Sequence, residues 1–115
     1  MSTTVQITTE AKDNAYIIHM IGEIDVSNLS DLESIIKPII DNANVKAIIL
    51  DCKDLLFIDS KVVGYIAYLS TTFGHSERKL LIASANETIN DILTLVGLTA
   101  IVPQFSTIDE ALVNI

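Results

Sequence analysis

The chain has 115 residues, a length that suits a single domain with one hydrophobic core. It carries 7 basic and 15 acidic residues, a net charge of -8, and a surface of that sign repels phosphate backbones and anionic lipid headgroups. We therefore expect no nucleic-acid partner. The single cysteine, Cys52, excludes an internal disulfide, as is typical of a reducing compartment. We predict one domain over residues 1–115, in the cytoplasm.

Targeting and membrane-spanning segments are not expected. Residues 1–10 have neither the basic stretch nor the apolar stretch of a signal peptide. No uninterrupted apolar run approaches the roughly 20 residues that cross a bilayer. The sequence therefore predicts no membrane insertion.

The N-terminal segment has the pattern of a β-hairpin. Residues 4–9 alternate between apolar and polar, which is typical of a strand with one solvated face. Residues 16–21 are rich in β-formers, and the polar turn between the two runs is short. We expect Gly22 to end the second strand.

The first helix is predicted over residues 28–41, where apolar residues recur at helical spacing. Its N-cap is either Asn28 or Ser30, the latter in a capping box with Glu33. Pro38 removes one helical hydrogen bond, so we expect a kink or an early end there.

The rest of the chain alternates strands and helices. The predicted strands cover residues 45–50, 80–83 and 101–105, and the predicted helices begin at Ser60, Asn86 and Thr107. Such an order predicts an α/β domain with a mostly parallel sheet, an antiparallel N-terminal edge strand and about four helices. The expected core consists of Ile48, Ile49, Leu50, Leu81 and Ile82, packed against Ile36, Ile66, Leu93 and Val96.

Polar residues follow three of the predicted strands, at the sheet edge where ligands and partners gather. The three loops carry Glu23, Asp25, Ser27 and Asn28; then Asp59, Ser60 and Lys61; then Ser84 and Asn86. Ser60 lies at the N-cap or first turn of a helix, where it either caps the helix or accepts a phosphoryl group. The two interpretations are compatible.

Gly64 lies inside the second predicted helix, where glycine costs about 1 kcal/mol relative to alanine. The close approach of another backbone would compensate for this cost. That backbone belongs either to the protein's own sheet or to a partner.

The motifs of common enzymes are missing from the sequence. Ser60 has no G-x-S-x-G motif around it and no histidine nearby to activate it. A P-loop and a G-x-G-x-x-G motif are absent as well. His19 and His75 are far apart without cysteine partners, so a metal site is not expected. We predict a protein that is not an enzyme and has no cofactor.

Three motifs in order resemble the STAS domain family, which is named for sulfate transporters and anti-sigma factor antagonists. They are GEID at residues 22–25, FIDS at residues 57–60 followed by Gly64, and LVGL at residues 95–98. A stand-alone domain of this length is similar to the bacterial anti-sigma factor antagonists.

The resemblance implies a phosphorylation switch at Ser60. A partner that is both anti-sigma factor and serine kinase binds the unmodified protein and releases the phosphorylated one, and a PP2C-type phosphatase resets the switch. The nucleotide and magnesium belong to the kinase. The candidate partner-binding residues are Asp25, Ser27, Asn28, Asp59, Ser60, Lys61 and Gly64. A weak homodimer is left open.

The second motif departs from the family pattern Asp-Ser-(Ser/Thr)-Gly-Leu-Gly at two positions. Lys61 replaces a small hydroxyl residue and puts a cation beside Ser60. Val62 replaces a glycine and is bulkier where a partner backbone would approach. Both changes favour an alternative, a STAS subunit that docks constitutively on another protein, such as a transport ATPase, without a switch. A small enzyme and a small-molecule sensor are further alternatives with no specific support.

Overall fold

The computed structural model describes residues 5–115. Its strands are β1 (Val5–Lys12), β2 (Ala15–Ile24), β3 (Ala47–Asp51), β4 (Leu55–Ile58), β5 (Lys79–Ala83) and β6 (Gln104–Phe105). Its helices are α1 (Leu29–Ile40), α2 (Ser60–His75), α3 (Glu87–Leu95) and α4 (Ile108–Leu112), with a 3-10 turn at Leu98–Ala100. The predicted order of elements is confirmed, and β4 is an additional strand. Thr4, which begins the first predicted strand, lies outside the described residues.

The six strands form one sheet in which only the β1–β2 pair is antiparallel. Five strands follow the order β1-β2-β3-β5-β6, and β4 pairs with β2. The long strand β2 pairs with two parallel strands, because Ala15 to His19 pair with β3 and Gly22 to Ile24 pair with β4. The predicted α/β class with an antiparallel edge strand is therefore confirmed.

Gly22 does not end β2 as predicted. Its φ of 103° lies in the left-handed region, which favours glycine. The register of the β2–β4 pair shifts between Gly22 and Glu23, and the Gly22 N–H donates to the carbonyl of Asp54 at 3.1 Å. Leu56 of β4 is the extra residue at this shift, because Gly22 pairs with Leu55 and Glu23 pairs with Phe57. At this irregularity β2 leaves β3 and continues beside β4.

The hydrophobic core has two parts, one on each face of the sheet. All five residues of β3 are buried, and they alternate between the faces. Ile48 and Leu50 pack with residues of α1, α2 and α3, whereas Ile49 packs with Ile17, Leu81 and Ala111 of α4. Ile49 and Leu81 therefore do not contact Ile36 and Ile66, contrary to the prediction. The structure also contradicts the core assignment of Val96, which is 51% exposed.

Helix α1 runs through Pro38 without the predicted early end. Pro38 cannot donate to the Ser34 carbonyl, and both residues lie on the exposed side of the helix, where solvent can replace the missing hydrogen bond. Asn86 and Thr107 cap α3 and α4 as predicted, each accepting a backbone N–H at 3.0 Å. Strand β6 is shorter than predicted, with two residues next to Pro103.

Residues 5–115 contain neither a membrane-spanning helix nor a cluster of metal ligands. No helix among them has the length and apolar character needed to cross a membrane. Within the same range, no three His, Cys, Asp or Glu side chains are grouped to hold a metal ion.

Candidate functional site

Asp59 is the N-cap of α2 and joins this helix to the loop after β2. Its Oδ1 accepts the backbone N–H groups of Lys61 at 3.1 Å and Val62 at 3.0 Å. Its Oδ2 accepts the N–H of Val26 at 2.9 Å. The Asp59 N–H in turn donates to the Ile24 carbonyl at 3.3 Å. Two of the three predicted loops are therefore bonded directly to each other.

Ser60 is the first residue of α2, and its side chain is exposed. The capping role that the sequence left open for it belongs to Asp59. No side-chain hydrogen bond involves Ser60 Oγ anywhere in the range 5–115. The hydroxyl is therefore free of side-chain hydrogen bonds at the N-terminus of a 16-residue helix, a position that favours negative charge.

The loop over residues 25–28 is held by its own side chains. The carboxylate of Asp25 accepts the N–H of Ser27 at 2.9 Å and also the Ser27 hydroxyl. These hydrogen bonds to the charged form lower the pKa of Asp25, with a smaller contribution from the backbone of Asn28. Asp25 is half-buried and Ser27 is exposed. The carboxylate of Asp25 is therefore held by its own loop, and that loop is bonded to Asp59 through the N–H of Val26.

Asn28 braces this loop from inside. Its side chain is among the few buried polar ones, with 8% exposure. Its Nδ2 donates to the Glu23 carbonyl at 2.9 Å, and its Oδ1 accepts the Asp25 N–H at 2.9 Å. The role of Asn28 in partner binding stays a prediction. In that role Asn28 would hold the loop in the conformation that the partner contacts.

The residues in the first turn of α2 after Ser60 differ in exposure. Lys61 is exposed, whereas Val62 is fully buried and belongs to the core. Val62 therefore contacts the protein's own sheet and helices, and its bulk does not obstruct an approaching partner. Gly64 is exposed, and a Cβ atom built on it would meet no atom within 4 Å. The protein's own sheet thus gives no reason for a glycine at this position.

Three apolar side chains on the segments that lead into the site are exposed, which their sequence pattern does not predict. Val26, Leu56 and Phe57 are 68%, 63% and 42% exposed. An apolar run such as LLFI predicts a buried strand. In the structure Leu56 is the residue skipped in the pairing with β2, and β4 lies off the main strand order of the described sheet. Exposed apolar groups beside polar ones are typical of a protein-binding surface.

The third predicted loop serves a structural role at the start of β4. The Nδ2 of Asn86 donates to the carbonyls of Leu55 at 2.6 Å and Cys52 at 3.4 Å. Ser84 has a φ of 59°, and its hydroxyl donates to the Ser106 carbonyl at 3.4 Å. This loop therefore ties α3 and β6 to the sheet and makes no hydrogen bond to the Asp59–Ser60 segment.

His19 forms a separate polar cluster on the sheet face covered by α4. Its Nδ1 lies 2.6 Å from Asp51 Oδ2, and its Nε2 lies 3.1 Å from Glu10 Oε1. A neutral imidazole has one N–H, so it donates to both carboxylates only when doubly protonated. Burial opposes this charge, but the hydrogen bonds to Asp51 and Glu10 outweigh it and raise the pKa of His19. The cluster joins β1, β2 and β3.

Comparison with known proteins agrees with this architecture. The family model of the STAS domain matches residues 6–111, so the chain belongs to the STAS domain family. Among solved structures, it is similar to an anti-sigma factor antagonist from Mycobacterium paratuberculosis, at 21% identity and a TM-score of 0.83, over 96% of this chain and 93% of that one.

Two forms of another protein give a similar result. The anti-sigma factor antagonist SpoIIAA in its unphosphorylated form is 20% identical with a TM-score of 0.78, over 95% of this chain and 93% of that one. The Bacillus cell fate determinant SpoIIAA in its phosphorylated form is 20% identical with a TM-score of 0.72, over 96% and 98%. At these identities the likeness establishes the fold.

Proposed function

We propose that this STAS protein is an anti-sigma factor antagonist in a partner-switching pathway, with one domain over residues 1–115. It binds an anti-sigma factor that is also a serine kinase while Ser60 is unmodified, and phosphorylation of Ser60 releases it. A PP2C-type phosphatase restores the binding form. The observation that carries the proposal is the exposed Ser60 hydroxyl at the first position of α2, where Asp59 caps the helix.

The surroundings of Ser60 explain why a phosphate would be tolerated in the free protein and rejected in a complex. The N-terminus of α2 favours negative charge, so the phosphorylated protein stays folded. A phosphate adds about -1.5 to -2 charges. In an interface that covers Val26 and Phe57, this charge would be desolvated beside the carboxylate of Asp25, which repels it. The partner therefore dissociates.

We propose regulation by binding, in the cytoplasm, rather than catalysis. An enzyme that used Ser60 as its nucleophile would need a base within hydrogen-bond reach. The imidazole of His19 is bonded to Asp51 and Glu10, in a cluster on another part of the sheet. The nucleotide and the magnesium ion of the phosphorylation reaction are supplied by the kinase.

One observation favours a second candidate, the STAS subunit that docks constitutively. Lys61 is exposed next to Ser60, and its ammonium would neutralise part of the charge that a phosphate adds. A phosphate that is neutralised in this way ejects a partner less efficiently. Val62 no longer favours this candidate, because its side chain is in the core.

Phosphate transfer is the test. The anti-sigma factor kinases of the host are incubated with ATP and with the parent, with Ser60→Ala, or with Ser30→Ala, which alters another exposed serine at a helix start. We expect mass spectrometry to find one phosphate on the parent and on Ser30→Ala, and none on Ser60→Ala. A parent that binds a host protein stably but never carries phosphate, in this assay or in the host cell, would favour constitutive docking.

A further inference from the structure

A groove of about 270 Å³ runs between α1 and α2. It is lined by Glu33, Lys37, Ile40 and Asp41 on the side of α1, and by Tyr65 and Tyr68 of α2. The two tyrosine rings are stacked, with centroids 6.4 Å apart and planes inclined by 23°. Tyr68 is 61% exposed. Large exposed aromatic side chains are enriched at the centres of protein interfaces.

The charges of the groove favour a cationic occupant. Glu33 and Asp41 are exposed, and neither takes part in an ion pair within residues 5–115. Lys37 supplies one positive charge against these two negative ones. Glu33 and the two tyrosines line the same groove, and burial and then the negative charge of Glu33 raise the pKa of Tyr65 to about 12. A carboxylate beside aromatic rings is the environment in which proteins hold guanidinium groups.

We propose that this groove receives an arginine side chain of a partner protein, with the guanidinium stacked on Tyr68 and paired with Glu33. Arginine suits the groove better than lysine, because its planar group stacks on an aromatic ring while its N–H groups bond a carboxylate in two places. The net charge of -8 selects for a basic partner surface over the longer range.

A second copy of this chain does not supply the arginine. Arg78 is the chain's single arginine, and its guanidinium is already committed. It donates to the carbonyls of Ile40 at 2.9 Å and Asn42 at 3.2 Å, and it lies 4.2 Å from the centre of the Phe73 ring. The occupant therefore comes from a different protein.

The groove is continuous with the face of α2 that carries Ser60. Lys61, Gly64, Tyr65 and Tyr68 are spaced as one helical face, and Tyr68 is about 12 Å along the helix from Ser60. Gly64 lies between them with open space around it, so a partner backbone can approach there closely. The inference deepens the proposed function, on which it rests for the identity of the partner, by giving that partner a second contact away from Ser60.

The groove itself can be tested without any partner. The ¹⁵N-labelled protein is titrated with N-acetyl-arginine amide and, as a neutral control of the same shape, with N-acetyl-citrulline amide. We expect saturable NMR shifts around residues 33 and 65–68 with the arginine compound alone. We expect Glu33→Gln to abolish them and Glu87→Gln, which changes an exposed acid on α3, to leave them intact. Equal shifts with both compounds, or shifts that persist in Glu33→Gln, would overturn the inference.

The contact with the partner is tested by calorimetry against the host anti-sigma factor kinase. Tyr68→Ala is expected to raise Kd at least about tenfold, as the loss of an aromatic anchor does. Ile101→Ala, at a residue that is 57% exposed and lies outside the groove, is expected to leave Kd unchanged. Equal Kd values for the parent and Tyr68→Ala would overturn the arginine contact and leave the proposed function intact. A parent that does not bind the kinase contradicts the proposed function, whereas the NMR titration still decides the groove.

Discussion

The backbone N–H of Val26 donates to Oδ2 of Asp59 over 2.9 Å, although the two residues are 33 positions apart in the sequence. The other oxygen of the same carboxylate caps α2. The loop that presents Asp25 and the helix that presents Ser60 are therefore held in one arrangement by a single side chain. A change at Asp59 affects both segments.

We expect Asp59→Ala to lower the free energy of unfolding by about 1–3 kcal/mol, because it removes an N-cap and a hydrogen bond to a charged acceptor. Asp59→Asn should fall between the parent and Asp59→Ala, since its amide oxygen can cap the helix but its amide nitrogen cannot accept the Val26 N–H. Urea denaturation measures both changes. Asp54→Ala, which removes an exposed carboxylate in the β3–β4 turn, is the control. Equal losses for Asp54→Ala and Asp59→Ala would contradict the prediction.

Ser60→Ala should change the free energy of unfolding by less than about 0.5 kcal/mol, because the hydroxyl caps nothing. Ser60→Asp should leave the protein folded, since a negative charge is favourable in the first turn of α2. It should nevertheless weaken binding to the anti-sigma factor kinase. Ser60→Asn is the control, because asparagine has nearly the same shape as aspartate but no charge, so the comparison separates the effect of charge from that of size. Calorimetry with equal Kd values for the parent and Ser60→Asp would contradict a charge-operated switch.

Lys61 should reduce the effect of a negative charge at Ser60. If its ammonium neutralises the carboxylate of Ser60→Asp, the double variant Ser60→Asp, Lys61→Ala binds the kinase more weakly than the two single variants predict together. Calorimetry on the parent, both single variants and the double variant gives this coupling. Additive effects would mean that the ammonium does not act on position 60.

The His19 cluster should make stability depend on pH. The pKa of His19 is raised above the ordinary value of 6.5, so its contribution is fully present below pH 6.5 and is lost as pH rises through the folded-state pKa. We expect the difference in unfolding free energy between the parent and His19→Gln to shrink from pH 6 towards pH 9. Urea denaturation across this range measures it. A difference that grows with pH would mean that neutral His19 is the form the cluster stabilises.

Truncation of a side chain in one part of the core should leave the other part unaffected. Ile49→Ala and Ile66→Ala each remove a buried aliphatic side chain and should cost about 2–5 kcal/mol. Ile49 packs beneath α4 and Ile66 lies on the other face. Hydrogen exchange should therefore speed up in α4 for Ile49→Ala and not for Ile66→Ala. Ile101→Ala is the control with an exposed side chain. Identical exchange profiles for the two core variants would argue against a divided core.

The sheet class and most helices follow from periodicity, because buried strands and amphipathic helices leave different apolar spacings in the sequence. The caps at Asn86 and Thr107 are local and are therefore predictable. Strand β4 is not predictable, because its pairing depends on the register shift between Gly22 and Glu23, where β2 leaves β3 and continues beside β4. The face to which Ile49 points likewise depends on the position of α4, which comes much later in the chain.

The candidate site also has features that the sequence predicts and features that it does not. The exposed Ser60 at a helix start could be predicted from the residues around it. The contact between Asp59 and Val26 could not, because it joins residues from different parts of the chain. The burial of Val62 is a matter of helical phase, since it lies one turn before Ile66 on the core face of α2. Comparison of the motif with the family pattern, by contrast, predicts Val62 at the interface.

Helix α4 covers the second part of the core with five residues, of which Ala111 alone is fully buried. A helix so short does not persist when it is detached. Its opening therefore costs only a fraction of the free energy of global unfolding. Each opening exposes the apolar side chains of Ile17, Ile49 and Leu81 to solvent. The rates of aggregation in concentrated samples and of cleavage by proteases should therefore follow the rate at which α4 detaches, at temperatures well below the melting transition.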